Sequence, residues 1–395
     1  MTDVLIAGGG IAGSSLAIML GRAGLTVELF ERGQFPREKA CGEGLMPAGV
    51  GVLERLGLAD AVGGAPFYGV RYYTGTLIAE GRFPAVAGVP TTGRGQRRRH
   101  LDQLLFATAA ATPGVTARTG MRVEAPLREG SRVVGLRVGG EPRRAPLVVI
   151  ADGLHSPLRR QLGLEGRPAR RERVGVRTHF GLAPGQTQPP WVEVFIGQGY
   201  ELYVTPLPAN EILVAALAER AAFVGGAAAA LRRWISMQPI LAARLEGAEQ
   251  RTAPIGMAPL ASSASAGVMP GAVLLGDAAG FLDPITGGGM AQALLTAELL
   301  ATYLVERRGG YDAWLWAYER ERQALLRDYR LLTRLVLGLA AHPWLAHQTL
   351  RLLQAIPALF SHLVGVATGA RSLWFTQAPL NGEAAEQRKA QNESR

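Results

Sequence analysis

Three glycines near the start of the chain have the spacing of a phosphate-binding turn. Gly8, Gly10 and Gly13 follow the apolar run Val4–Ala7 and precede a segment with helical spacing. In such a turn the first glycine permits a tight bend, the second lets a pyrophosphate approach the backbone, and the third lets the helix pack closely on the strand. The positive end of the helix then faces the phosphates. This spacing predicts that the chain binds a dinucleotide.

An acidic residue completes the predicted nucleotide site. Glu31 ends the next predicted strand 18 residues after Gly13, close to the ~20 expected for the acid that binds the adenosine ribose hydroxyls. Ile11 and Ala12, between the glycines, and Arg32, beside the acid, are assigned to the same site. The motif by itself does not distinguish FAD from NAD.

The elements that must position these residues are predicted from hydrophobic spacing. Short apolar runs predict buried parallel strands, and apolar residues three or four apart predict helices. The predicted strands cover residues 4–7, 25–30, 147–151 and 273–277, and the predicted helices cover residues 14–23 and 101–111. Because these runs are far apart in sequence, the nucleotide domain is expected to be assembled from separated pieces of the chain.

Two longer patterns predict the rest of the molecule. Residues 173–218 alternate apolar and polar side chains, which predicts an antiparallel substrate-domain sheet with one face in water. Residues 290–372 have helical spacing with breaks at His342-Pro343 and Ile356-Pro357. These helices are expected to pack on the nucleotide domain as part of its core.

The predicted fold class is α/β, with a Rossmann-type domain interleaved with an antiparallel-sheet substrate domain and followed by C-terminal helices. A chain of 395 residues exceeds the ~250–300 at which one hydrophobic core stops growing. The predicted nucleotide domain comprises residues 1–75, 98–170 and 265–330, the substrate domain residues 76–97 and 171–264, the C-terminal helices residues 331–375, and a disordered tail residues 376–395.

Composition argues against several classes of function. The net charge of +10 comes from 42 basic residues, of which only Lys39 and Lys389 are lysine. Because the arginines are scattered, without a basic helix or an aromatic platform, no nucleic-acid partner is expected. One cysteine and six dispersed histidines exclude an internal disulfide framework and predict no metal site. With no signal segment expected before the first strand and no apolar run of the ~18 residues that span a bilayer, a cytoplasmic location is expected.

Three later motifs narrow the choice of nucleotide. They are Arg98-x-x-Leu101-Asp102, then Asp152-Gly153-x-x-Ser156-x-x-Arg159, then Gly276-Asp277-Ala278-Ala279-Gly280 with Pro284 and Gly287-Gly288-Gly289-Met290. With these motifs, up to about residue 330, the chain resembles the FAD-dependent monooxygenases of the para-hydroxybenzoate hydroxylase type. It also resembles their relatives, the geranylgeranyl reductases and the flavin-dependent halogenases. The resemblance implies that the bound nucleotide is FAD.

The resemblance also implies a role for each motif. Arg98 would lie near the flavin and its phosphates, and Asp152 with Gly153 would form a joint site for FAD and the nicotinamide coenzyme. Asp277 would accept hydrogen bonds from the ribityl hydroxyls, although a helix cap or turn role is its local alternative. The glycines at 287–289 would begin a helix whose N–H groups face the flavin pyrimidine ring. Such a helix start stabilises the anionic edge of a reduced flavin.

The loop after the second strand and one sheet segment bear on the reaction. Lys39-x-Cys41-Gly42 is similar to the geranylgeranyl reductases and some halogenases, and it places Cys41 and Gly42 near the flavin, with no chemical role for the thiol. Halogenases need a lysine in the substrate domain, and no lysine lies between Lys39 and Lys389, so halogenation is not expected. Where prenyl reductases have two aromatic residues before a proline, this chain has Tyr203 and Thr205, which weakens reduction without excluding it.

The reaction favoured by this resemblance is oxygenation. NAD(P)H would reduce FAD, molecular oxygen would form a flavin hydroperoxide, and a lipophilic or polyketide-like small molecule would be hydroxylated or epoxidised. Tyr203 is the candidate for the substrate pocket, with a core tyrosine whose hydroxyl is satisfied as its alternative. The apolar C-terminal helices also allow contact with a membrane surface. A geranylgeranyl-reductase-like ene-reductase and an FAD-binding scaffold without activity remain the alternatives.

Overall fold

The structure is a computed structural model that describes residues 2–168 and 172–374, so the predicted tail at 376–395 lies outside the described residues. Its strands are β1 (Val4–Ala7), β2 (Val27–Phe30), β3 (Gly44–Leu45), β4 (Ala65–Phe67), β5 (Gly69–Thr74), β6 (Leu77–Arg82), β7 (Gly93–Gly95), β8 (Val115–Arg118), β9 (Val123–Glu129), β10 (Arg132–Val138), β11 (Glu141–Arg144), β12 (Leu147–Ile150), β13 (Arg173–Gly181), β14 (Val192–Gly197), β15 (Tyr200–Leu207), β16 (Glu211–Glu219), β17 (Glu249–Gln250), β18 (Ile255–Met257), β19 (Val268–Met269) and β20 (Ala272–Leu274). Its helices are α1 (Ile11–Arg22), α2 (Pro47–Arg55), α3 (Ala59–Val62), α4 (Arg98–Ala111), α5 (Pro157–Gln161), α6 (Ala227–Ser236), α7 (Pro239–Arg244), α8 (Gly289–Glu306), α9 (Leu315–Ala340), α10 (Pro343–Ala355) and α11 (Pro357–Ala367).

A parallel sheet forms the centre of the nucleotide domain. Its order is β19-β20-β12-β1-β2-β8, with β19 antiparallel at one edge and the other strands parallel. Ala7 lies opposite both Phe30 and Ile150, so β1, β2 and β12 end at the same level. The strands predicted from apolar runs are therefore confirmed, and they are buried because helices such as α1, which contacts α4 and α8, cover the sheet.

The glycine turn leads directly into α1. This helix begins at Ile11, three residues before the predicted start at residue 14, because Gly10 is its N-cap residue. Gly13 therefore lies inside the helix, where an added Cβ would come within 1.9 Å of the Gly8 carbonyl oxygen. The missing side chain of Gly13 is what lets the helix start lie against the end of β1.

The second domain is built on a mixed sheet. Its order is β17-β13-β16-β15-β14-β5-β6, with β18 also paired to β13. The prediction of an antiparallel sheet is correct for β13 to β16, but β14 pairs in parallel with β5. The boundary predicted after residue 75 would cut the hairpin of β5 and β6, so the sheet is better taken to begin at Gly69.

The C-terminal helices pack differently from the prediction. The breaks are as predicted, since α10 begins at Pro343 and α11 at Pro357, but α9 runs without interruption across the boundary expected at 330/331. Both α10 and α11 contact β6 of the mixed sheet, where they were expected to cover the nucleotide domain. Gly81 on β6 makes this approach possible, because a Cβ there would lie 2.7 Å from the side chain of Val364.

Candidate functional site

A cavity lies between the carboxyl edge of the parallel sheet and one face of the mixed sheet. The turn at the start of α1, the turn after β12, the loop at 39–44 and the segment 275–293 form its nucleotide-domain side. Strands β13 to β16 and the segment containing Met257 and Leu260 form the opposite wall. Both domains therefore contribute to one site.

Most of the residues predicted from the sequence line this cavity, and the others lie behind its wall. Those that line it are Gly10, Ile11, Ala12, Cys41, Gly42, Arg98, Gly153, Tyr203, Gly276, Asp277, Pro284, Gly287, Gly289 and Met290. Those that lie outside its wall are Gly8, Gly13, Glu31, Arg32, Asp152 and Gly288.

The glycines of the first turn differ in what surrounds them. Gly8 has φ +112°, and a Cβ there would lie 2.2 Å from the carbonyl oxygen of Ala151. Around Gly10, by contrast, the nearest atom to an added Cβ is a nitrogen of Arg37 at 3.8 Å. The protein itself therefore leaves room at Gly10, and that room faces the cavity.

Glu31 holds the glycine turn from the second strand. Its Oε2 accepts a hydrogen bond from the N–H of Gly9 at 2.9 Å, and its Oε1 accepts one from Gly33 at 2.8 Å. Each carboxylate oxygen keeps a second lone pair for a ribose hydroxyl. The guanidinium beside it belongs to Arg37, at 3.5 Å, whereas Arg32 is exposed and does not line the cavity. The assignment of Arg32 is thus not supported by its position.

The turns after β12 and β20 are joined by one buried arginine. Arg159 donates hydrogen bonds to the carbonyl oxygens of Ala278, at 3.0 Å, and Leu154, at 3.2 Å, and pairs with Glu165. Asp152 stays out of the cavity, where its Oδ2 accepts a hydrogen bond from Leu158 and burial raises the pKa of its carboxyl group. The motif at residues 152–159 therefore supports the turn at residues 276–280 through Arg159. Only Gly153 of the pair Asp152 and Gly153 faces the cavity.

Two helix starts face the site without side-chain caps. Neither Gly10 at α1 nor Gly288 at α8 provides a capping side chain, and neither helix has an acidic residue in its first turn. The first N–H groups of a helix have no partner within the helix and attract negative charge. The pyrophosphate at α1 and the pyrimidine edge of the flavin at α8 would satisfy these groups, so the residues present fit FAD.

A buried polar network, which the sequence did not reveal, joins the loop at residues 38–43 (the flavin loop) to the mixed sheet. His179 Nε2 lies 2.7 Å from Glu43 Oε2, both side chains are fully buried, and His179 Nδ1 lies 2.9 Å from Thr252 Oγ1. Arg177 pairs with Glu38 and donates to the carbonyl oxygen of Lys39 at 3.1 Å. This network holds the loop at 38–43 over the cavity.

The location of this network corrects the prediction of a sheet face in water. Arg173, Gly175, Arg177 and His179 alternate along β13, which was interpreted as one solvated face. The side chains of Arg177 and His179 are instead buried, because this face of the sheet is turned toward the nucleotide domain. The polar residues at every second position were the available signal, and only the position of the nucleotide domain shows that Arg177 and His179 are buried.

A second cluster ties the start of α8 to the same sheet face. Arg173 pairs with Glu201 and, at 2.9 Å, with Asp283. Burial raises the pKa of Glu201 to about 7, since the pairing with Arg173 only partly offsets it and Asp283 adds repulsion. Next to them, Tyr203 lines the cavity and donates a hydrogen bond to the carbonyl oxygen of Ile285 at 3.2 Å. Tyr203 thus faces the pocket and has a satisfied hydroxyl group as well.

Comparison with known proteins agrees with this geometry. Residues 1–329 match the family described as FAD binding domain. The chain belongs to this family. It is an FAD-dependent oxidoreductase, and its superfamily includes monooxygenases.

Its relatives act on different substrates. It is 31% identical to menaquinone reductase of Mycolicibacterium smegmatis, with 76% of this chain and 75% of that protein covered. It is 32% identical to a putative 2-heptyl-3-hydroxy-4(1H)-quinolone synthase of Rhodococcus erythropolis, with 75% and 77% covered. A flavoprotein/dehydrogenase from Cytophaga hutchinsonii shares the fold of this oxidoreductase, with a TM-score of 0.81, 23% identity and 93% of each chain covered.

The substitution Gly10→Ala is expected to weaken FAD binding by about tenfold or more while leaving the melting temperature of the apoprotein unchanged. The added methyl group meets no protein atom within 3.8 Å, and Gly10 has φ −80°, but the methyl group would enter the space facing the cofactor. Titration with FAD, followed by flavin fluorescence, measures the affinity. Gly338→Ala on α9, which also meets no atom within 4 Å, is the control. Equal affinity in both variants would contradict the assignment.

The pH dependence of stability should change in Glu201→Gln. In the folded protein the pKa of Glu201 is about 7, whereas the ordinary pKa of a glutamate in the unfolded chain is 4.5. Between these two pH values the carboxyl group is protonated mainly in the folded state. The folded state binds more protons in this window, so this group's contribution to the free energy of unfolding falls as pH rises through it and is constant above it. Urea unfolding across the window should show the variant gaining stability relative to wild type as pH rises. Glu246→Gln, at an exposed glutamate of the same domain, should show no such trend.

Proposed function

We propose that this flavoenzyme is an NAD(P)H-dependent monooxygenase that hydroxylates or epoxidises a lipophilic small molecule. The observation that carries the proposal is the apolar wall opposite the flavin-binding turns. This wall and its neighbours consist largely of aliphatic, sulfur-containing and aromatic side chains, namely Met46, Val176, Val192, Ala215, Leu217, Met257, Leu260, Phe281 and Met290. An apolar substrate gains from burial against such a surface.

The polar side chains on this wall already have partners within the protein. Tyr203 donates to the carbonyl oxygen of Ile285, and Thr205 donates to that of Gly42 at 2.7 Å. Arg177 is paired with Glu38. A charged substrate would have to compete for these groups and lose its own hydration, which costs several kcal/mol or more for an unpaired ion. An uncharged, lipophilic substrate is therefore favoured.

The names of the relatives support the same class of substrate. The relatives include proteins named for menaquinone, for a heptyl quinolone and, at 28% identity in Aspergillus fumigatus, for squalene. The chain covers 64% of that squalene epoxidase. These substrates carry long hydrocarbon chains, and the apolar wall of this cavity suits such a chain.

The residues of the chain have distinct tasks in this proposal. FAD, when bound, supplies the chemistry by accepting a hydride from NAD(P)H and activating molecular oxygen. The uncapped N–H groups at Gly289 and Met290 stabilise negative charge at the pyrimidine edge. The loop at 38–43, held by Arg177 and His179, excludes water from the cavity.

Reduction of the substrate is the second candidate, and the likeness to a menaquinone reductase favours it. The same cavity could hold the same kind of molecule, and only the fate of the electrons differs. Oxygenation needs molecular oxygen, whereas reduction proceeds without it. The requirement for molecular oxygen therefore distinguishes the two functions.

Turnover with and without oxygen tests the proposed function. Quinolone, quinone and squalene substrates are offered with NADPH or NADH, and the product mass is measured under isotopically labelled oxygen. We expect bleaching of the flavin by the coenzyme and a product carrying one labelled oxygen atom, with none formed anaerobically. A product that gains two hydrogen atoms anaerobically would replace oxygenation by reduction. If neither NADPH nor NADH bleaches the flavin, the remaining alternative is that this protein is an FAD-binding scaffold without activity.

We propose in addition that the α9–α10 corner touches a membrane surface, where such substrates reside. Trp344 is 73% exposed, Leu335 55% and Leu352 52%, and the exposed Arg334 and Arg351 lie in the same stretch. Exposed aromatic and aliphatic side chains with nearby basic residues are typical of interfacial binding to anionic bilayers. In the described residues no single helix is long and apolar enough to cross a bilayer, and α10 with α11 reaches that length only as a pair bent by 111°.

The double variant Trp344→Ala/Leu352→Ala should bind anionic lipid vesicles at least about tenfold more weakly than wild type, because it removes two large apolar side chains from the contact. Vesicle sedimentation measures the binding. Trp316→Ala is the control, since Trp316 is 56% exposed near the start of α9, roughly 28 Å by helical rise from Leu335 on the same helix. An equal loss in the control, or no binding by wild type, would refute the contact.

A further inference from the structure

Both reactions considered above consume one proton per turnover, so this inference rests on the proposed function. In oxygenation, substrate, molecular oxygen, NAD(P)H and one proton give the oxygenated product, NAD(P)⁺ and water. In reduction, substrate, NAD(P)H and one proton give the reduced product and NAD(P)⁺. In a cavity with an apolar wall, a side chain that lines the cavity can supply this proton.

Most of the titratable side chains that line the cavity are poor proton donors. Glu43 already accepts a hydrogen bond from the N–H of Arg98 at 3.0 Å and lies 2.7 Å from His179 Nε2. The hydroxyl group of Tyr203 is committed to a carbonyl oxygen, and burial raises its pKa well above the ordinary value. Arginine does not release its proton near neutral pH. Of the remaining groups that line the cavity, Asp277 is the acidic partner of Lys39, with its Oδ2 3.9 Å from Lys39 Nζ, and the thiol of Cys41 is a weak hydrogen-bond donor. Lys39 is therefore the strongest candidate acid.

We propose that Lys39 is the acid that delivers the proton consumed in each turnover. Its side chain is 25% exposed, and it lines the cavity. Its Nζ lies 3.9 Å from Asp277 Oδ2, in the turn that follows β20. Its backbone carbonyl oxygen accepts hydrogen bonds from Arg177 Nη2 at 3.1 Å and Nε at 3.3 Å, which fixes the start of the side chain.

The composition of the chain is a second, independent observation. Lys39 is the only lysine in residues 2–168 and 172–374, although the whole chain has 42 lysine and arginine residues. At every other lysine or arginine position in the described residues, this chain has arginine. A guanidinium stays protonated, whereas an ammonium group releases its proton when it is buried. The one lysine in the described residues therefore lies at the cavity, where the reaction consumes a proton.

The surroundings of Lys39 favour release of its proton. Burial lowers the pKa of its ammonium group, and the positive charge of Arg98 lowers it further. The groups that act in the opposite direction are Asp277, Asp102 and Cys41. Because burial outweighs them, the pKa lies below that of an exposed lysine.

The proton transfer can be written so that atoms and electrons balance. As the O–O bond breaks, one oxygen atom forms a bond with an electron pair of the substrate. The other oxygen atom keeps the bonding electron pair and takes the proton from Nζ. Its bond to the cofactor then breaks, and it leaves as water with a second proton that the reduced cofactor carries. The proton on the transferred oxygen atom passes to solvent. Lys39 becomes a neutral amine and regains a proton from solvent. In a reduction the same N–H would protonate a substrate carbon atom after hydride transfer to its neighbour.

The matched pair Lys39→Arg and Lys389→Arg tests this role kinetically. Lys39→Arg keeps the positive charge beside Asp277 but cannot release a proton. We expect both variants to retain FAD and to be bleached by NAD(P)H at rates within about twofold of wild type, whereas product formation in Lys39→Arg falls by about a hundredfold. The solvent deuterium isotope effect and the basic limb of the pH profile for that step should also be lost. A wild-type rate and pH profile in Lys39→Arg would overturn the proposal, since charge alone would then suffice.

A titration that does not depend on turnover separates failure of this inference from failure of the proposed function. Reductive methylation with ¹³C-formaldehyde labels only Lys39, Lys389 and the α-amino group of the chain. The Lys389→Arg variant assigns the signals in NMR spectra of the FAD-loaded protein. A pKa for Lys39 displaced below about 10.4 supports the proposal, and a value at or above it overturns the proposal even if turnover is observed. If wild type forms no product under any condition, the proposed function fails by its own test.

Discussion

The whole site depends on the fact that parallel strands end at one edge of their sheet. The turns after β1, β12 and β20 come from positions near residues 8, 151 and 275, yet the register brings them together. Arg159 then joins two of these turns by donating hydrogen bonds to carbonyl oxygens of both. Without these hydrogen bonds, the buried carbonyl oxygens would be unpaired, which costs free energy. Without the parallel sheet, none of the three motifs could bind part of the same cofactor.

The second domain contributes one wall of the cavity and the buried contacts that hold the loop at residues 38–43 in place. The buried groups at this contact are polar or charged, and burial of such groups is tolerated only when they are paired and hydrogen bonded. Glu43 with His179, and Arg173 with Asp283, satisfy one another across the domain boundary. Removing one member would leave its partner buried and unpaired. The same pairs that stabilise the contact therefore fix the distance between the flavin turns and the apolar wall.

Much of the site could be predicted because its motifs depend on local backbone requirements. Gly8 and Gly13 each meet a local steric need, Gly10 leaves room that faces the cavity, and apolar runs identify buried strands whatever lies beside them. The errors arose where an outcome depended on another domain. The polar face of β13 was predicted to lie in water, and the nucleotide domain covers Arg177 and His179 on it. The C-terminal helices have apolar faces that suit either domain, and Gly81 on β6 provides the surface on which they pack.

The sequence by itself determined that a dinucleotide is bound and where the strands and the turns that bind it lie, since spacing along the chain governs these features. The choice of FAD followed from the resemblance of three later motifs to a known family. Only the tertiary structure decided that Arg177 and His179 on β13 are buried, that Arg159 links two motifs, and that Lys39 lies beside Asp277 at the cavity. The physical reason is that burial and charge pairing are properties of two surfaces in contact. A periodic pattern in one strand records which residues share a face, but what covers that face is encoded elsewhere in the chain.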